Sequence, residues 1–85
     1  MPKPTSLTGD KNLIGRRLIE IRKERRLSQR DLARMLQLVG YDIDKNVITR
    51  IETNQRYVSD IELQALHELL GISYDYLIDG NKNPR

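Results

Sequence analysis

The sequence predicts an all-α domain, five consecutive short helices around one small core. Three observations carry that expectation. Apolar residues recur at helical spacing in successive segments. A hydroxyl residue followed three positions on by a carboxylate, the pattern of an N-terminal capping box, opens two of those segments. No window alternates apolar and polar residues as a half-buried strand does. At 85 residues there is one domain and one modest core. With 38% hydrophobic and 32% charged residues the chain is expected to fold. Its four Tyr, with no Phe and no Trp, make that core aliphatic.

Residues 1–12 mix Pro, Thr, Ser, Gly and Lys without period and read as a flexible N-terminal arm. Asn12 is placed to cap a first helix from Leu13 to about Arg26, with Ile14, Leu18 and Ile21 on one face. Leu27 closes it. Ser28-Gln29-Arg30-Asp31 is a capping box that starts a second helix, with Leu32, Met35, Leu36 and Val39 inward and Gly40 as its stop. Tyr41-Asp42-Ile43 connects. Asp44 caps a third helix from Lys45 to about Thr53, which turns Val47, Ile48 and Ile51 inward. Asn54-Gln55-Arg56-Tyr57 is a loop, with Asn54 suited to a positive φ. Ser59-Asp60-Ile61-Glu62 is a second capping box. The fourth helix it opens buries Leu63, Leu66, Leu69 and Leu70 and stops at Gly71. Ser73 caps a short fifth helix, Tyr74 to Ile78, ended by Asp79-Gly80. Residues 81–85 read as a polar tail.

Composition excludes several classes of function. The chain lacks Cys, which removes disulfides, a thiol nucleophile and Cys-based zinc sites. Its single histidine, His67, sits mid-helix and reads as a surface or half-buried structural residue. Asp42 and Asp44 read as turn and cap residues. No Gly-rich phosphate loop is present. The chain is therefore expected not to be an enzyme and to carry no cofactor or metal. No segment spans a membrane and no secretory signal is read, so a cytoplasmic, nucleoid-associated location is expected.

Charge is unevenly placed. Residues 1–56 hold thirteen Lys and Arg against seven Asp and Glu, a net +6, whereas residues 57–85 hold two against five, a net −3. A basic half on so small a domain suggests a polyanionic partner. The third helix sharpens this. Lys45, Asn46, Thr49, Arg50 and Thr53 lie opposite its aliphatic residues. Several are mediocre helix formers, which an ordinary solvated face does not require. Arg and Lys suit guanine edges, Asn suits adenine, and Thr bonds or touches a thymine methyl.

Arg22 stands four residues past Leu18 and one past Ile21, at the edge of the first helix's apolar face. Glu52 stands in the same relation to Ile48 and Ile51 on the third helix. Packing Ile21 on Ile51 brings the two charges together as a structural ion pair.

Leu27-Ser28-Gln29-Arg30-Asp31-Leu32-Ala33-Arg34-Met35-Leu36 resembles the Leu-Ser-Gln-x-x-Leu-Ala signature of the phage-repressor-like (Cro/repressor, Xre) helix-turn-helix family. Val47-Ile48-Thr49-Arg50-Ile51-Glu52 resembles its recognition helix, and Leu70-Gly71-Ile72-Ser73 with Tyr74-Asp75-Tyr76-Leu77 its C-terminal ending. The resemblance covers residues 13–80. It implies a lambda-repressor-like five-helix domain that regulates transcription, most often as a repressor, by reading double-stranded DNA through the major groove. It also implies a homodimer on a pseudo-palindromic operator. The sequence departs from the family in residues 37–43, where either the second helix gains a turn or the connector lengthens. Position by position, the resemblance makes Lys45, Asn46, Thr49 and Arg50 base-reading. It makes Gln29, Arg30, Arg56 and Tyr57 phosphate-contacting or bracing residues, and pairs Arg22 with Glu52. Two other functions share these features: an antitoxin that represses its own operon and binds a toxin, and a protein-interaction module without DNA. The basic recognition face speaks against the second.

Overall fold

Side-chain caps decide where most of the helices begin. A computed structural model, which describes residues 5, 7 and 9–80, contains α1 (Gly15–Glu24), α2 (Gln29–Leu38), α3 (Lys45–Glu52), α4 (Asp60–Leu70) and α5 (Tyr74–Asp79). The expected tail, and residues 1–4, 6 and 8 of the expected arm, lie outside the described residues. The first turn of a helix has backbone N–H groups without an intrahelical acceptor. At α2, Ser28 Oγ accepts from Asp31 N at 2.9 Å, and the Asp31 carboxylate accepts from Ser28 N at 2.9 Å. Ser59 and Glu62 repeat the reciprocal pair at α4. Asp44 accepts from Val47 N at α3, and Ser73 from Tyr76 N at α5.

The first helix is shorter than its sequence suggests. It starts at Gly15 where Leu13 was expected, and stops at Glu24 where Arg26 was expected. Asn12 Oδ1 accepts from Ile14 N and Gly15 N, while Asn12 Nδ2 donates to the carbonyls of Ile51 and Arg56. The capping side chain is thus anchored to the end of α3, and that anchor sets where α1 can begin. Gly15 is buried there. A Cβ on it would lie 2.5 Å from the Ile51 carbonyl oxygen and run into the Asn54 side chain, so only glycine lets the two helices approach.

Four helices end alike. Arg26, Gly40, Asn54 and Gly71 adopt positive φ values of 57°, 101°, 59° and 63°. The next residue's N–H then turns back to a carbonyl five positions earlier: Leu27 to Arg22, Tyr41 to Leu36, Gln55 to Arg50 and Ile72 to His67. This places the expected positive φ at Asn54. It also divides the unusual stretch after Leu36 between the tail of α2, which runs to Leu38, and a connector of residues 39–44. Gln37 Nε2 donates to the Ile43 carbonyl and pins that connector, and Ile43 is buried.

The core joins all five helices. Leu18, Leu32, Leu36, Ile48, Ile51, Leu66 and Leu77 are fully buried, with Ile14, Ile43 and Ile72 added from the connecting segments. Val39, expected inward, is exposed, because it follows the last residue of α2 and no longer projects along the helix's inner face. Met35, Val47, Leu63 and Leu69 are half-buried at the core's edge. Ala65 is buried on α4 beside Leu66 and Leu70.

Candidate nucleic-acid interface

Intrinsic propensity does not hold α3 in place. Its hydrogen bonds and its two fully buried residues, Ile48 and Ile51, do. With those two inward, Lys45, Asn46, Arg50 and Thr53 are exposed and Thr49 is half-buried. At about 100° per residue these five cover about 140° of the opposite face. The face carries two cations, an amide and two hydroxyls, which are donors and acceptors of the kind that match base edges.

Its edge toward the rest of the protein is tied down by one polar chain. Arg22 Nε and Nη2 donate to Glu52 Oε2 and Oε1 at 2.7 and 3.0 Å. Arg22 Nη1 reaches the Leu27 carbonyl. Only 2% of the Glu52 side chain and 13% of the Arg22 side chain are exposed. Hydrogen bonds to Glu52, against partial burial and with the help of its charge, hold the Arg22 guanidinium above its ordinary pKa. Gln29 Nε2 donates to Glu52 Oε1 at 2.8 Å, and Thr49 Oγ1 lies 2.9 Å from Gln29 Oε1. One carboxylate on α3 is thereby bonded to α1 and to α2, which fixes the attitude of the exposed face. Among the described residues no buried side-chain polar atom lacks a partner. Arg30 and Lys45 line one shallow groove with Arg22, Ser28 and Gln29, where the starts of α2 and α3 meet.

A helix-turn-helix family model matches residues 18–77, most of the chain. The chain belongs to the phage-repressor-like helix-turn-helix family. Comparison with curated proteins returned no match, and comparison with solved structures returned none either. The protein is thus a DNA-binding helix-turn-helix regulator, of a family that is generally not enzymatic, and double-stranded DNA is its partner. Among the described residues no helix is long and apolar enough to cross a membrane.

In this helix-turn-helix domain Arg56 and Tyr57 stand apart from the α2–α3 groove, beyond the far end of α3. Arg56 Nη1 and Nη2 donate to Glu62 at 3.0 and 2.9 Å, and Nη1 also donates to the Tyr57 carbonyl. Its guanidinium therefore braces the capping box of α4. The Lys11 ammonium lies 5.6 Å from the Tyr57 ring centroid, over its face. His67 is a structural residue, its Nδ1 2.6 Å from the Ile72 carbonyl and its ring stacked on Tyr74.

Sequence reasoning missed four residues that support the helix-turn-helix. Asn12 clamps α1 to the α3 exit, Gly15 permits that approach, Gln37 pins the connector, and Arg17 Nη1 donates to the Leu77 and Ile78 carbonyls at the end of α5. Asn12 alone left a signal, since it was already readable as a helix cap. The other three bind carbonyls or leave room for a close approach, and neither act marks a sequence.

Proposed function

We propose that this helix-turn-helix protein is a sequence-specific repressor that lays α3 in the major groove. Lys45, Asn46, Thr49 and Arg50 meet base edges there, and Gln29, Arg30 and Tyr57 meet or brace the phosphate backbone. Arg56 acts mainly as a brace, through Glu62. The observation that carries this reading is the exposed polar face of α3 together with the Glu52 bonds that hold it against α1 and α2. Phosphate contacts supply affinity and base contacts supply specificity. A compact domain seated on its site excludes other proteins from that site, which is repression by occupancy.

The reading includes a homodimer. The acidic half of the chain is repelled by phosphate and left for protein contact. Within that half Ile61 and Tyr74 are exposed and line one groove with Leu63. A dimer through this region binds a pseudo-palindrome with half-site centres about 34 Å apart. Selection of bound sites from random duplex DNA, followed by mobility shift on the selected site, tests the reading. The expected result is a site with two-fold symmetry and two protomers bound. A chain that shifts no duplex at low salt contradicts it and turns the reading toward a protein-interaction module.

A further inference from the structure

The hydrogen-bond chain that anchors α3 can run in one direction only. Glu52, facing the Arg22 guanidinium, is a carboxylate and can only accept. Gln29, 2.8 Å from it, must therefore present its NH2 group there, which turns Gln29 Oε1 toward Thr49. Thr49 Oγ1 lies 2.9 Å from that oxygen and 3.0 Å from the Lys45 carbonyl oxygen. Both neighbours are acceptors, so the single hydroxyl proton of Thr49 is used inside the protein. Yet Thr49 stands on the outward face of α3, between Lys45 and Arg50.

From this polarity we infer that Thr49 is a specificity-determining residue that reads an A·T pair through the thymine 5-methyl group and not as a hydrogen-bond donor. The inference rests on the major-groove reading proposed above. With the hydroxyl drawn toward α2 and the preceding turn, the γ-methyl is the arm of Cβ left for the groove. Guanine shows only acceptors, N7 and O6, in the major groove. It finds no donor on Thr49. A lone pair of Oγ1 accepts from an amino group, which adenine and cytosine both carry. Of the unmodified pairs, only A·T adds a methyl group beside that amino group, and so satisfies both arms of the side chain.

The test uses the full chain on its selected duplex, with thymines replaced one at a time by uracil, which removes only the methyl group. One A·T position should weaken wild-type binding about fourfold on replacement, the value for one buried methyl group. Thr49→Val keeps the γ-methyl without the hydroxyl; whatever affinity goes with the lost bonds to Gln29 and to the base amino group, its sensitivity to uracil there should persist. Thr49→Ser keeps the hydroxyl without the methyl. It should lose about fourfold on the thymine duplex and be indifferent to uracil at that position. Thermal unfolding confirms that each variant is folded. The inference is overturned if no uracil effect disappears in Thr49→Ser, or if the uracil effect disappears in Thr49→Val. A wild-type chain that binds no selected duplex overturns the major-groove reading itself.

Discussion

Glu52, with 2% of its side chain exposed, accepts hydrogen bonds from Arg22 and Gln29. Removing the cation leaves the carboxylate buried with one neutral donor. Arg22→Met is expected to cost on the order of 3 kcal/mol of stability. A double-mutant cycle with Glu52→Gln, read by denaturant unfolding, should give a coupling above the 0–1 kcal/mol typical of exposed pairs. A coupling near zero would mean the pair contributes little. Both residues could be placed from the sequence because each sits one position past a core isoleucine. Gly15 offered no such clue. Gly15→Ala sets a methyl group against the Ile51 carbonyl and the Asn54 side chain, and should destabilise by about 1–3 kcal/mol. An unchanged melting temperature would show that α1 and α3 can separate without penalty. The Asn12 clamp stayed hidden for a related reason, since one of its acceptors lies 44 residues away and is a backbone carbonyl.

The starts of α2, α3, α4 and α5 were legible and helix relationships were not. Ser28, Asp44, Ser59 and Ser73 act within three residues of themselves, so the pattern that announces them is local. The length of α1 and the exposure of Val39 depend instead on where neighbouring elements stop. Ile43 and Ile72 are buried from connectors, where no period marks an inward residue. The start of α4 joins local and distant effects. Partial burial alone raises the Glu62 carboxyl, but hydrogen bonds from Arg56 and Ser59 outweigh it and hold the group below the ordinary carboxylate range. A depressed folded pKa contributes stability that is present above the unfolded value and is lost as pH falls through the folded one. Asp31 has the same sign, chiefly through the Ser28 backbone N–H. The domain should therefore lose stability on acidification below about pH 5. Glu62→Gln should be less stable at neutral pH and show a shallower acid dependence, measured by denaturant unfolding across the pH range. An identical slope in the variant would remove Glu62 from the cause. Arg56→Ala should lower both stability and binding to every duplex alike, because its guanidinium braces α4 and does not face the groove.

Over the whole molecule, the first 56 residues are basic and the remainder acidic, a division that the proposed reading assigns to DNA and to protein contacts. Charge division was readable from composition, whereas the operator is not, because base choice depends on side-chain geometry at α3. Phosphate neutralisation releases counterions, so affinity should fall steeply as salt rises, with a clear negative slope of log K against log salt. A flat response across a fourfold change in salt would contradict a phosphate-bound complex. In the proposed reading, α3 reads bases from a face held by Glu52. Its most direct test is the affinity of Arg50→Ala for the selected site and for random duplex at one salt concentration. Base reading predicts a loss of about 1–3 kcal/mol on the selected site, relaxed choice at one base pair, and a much smaller loss on random DNA. Equal losses on both duplexes would contradict base reading by Arg50 and leave it a phosphate contact.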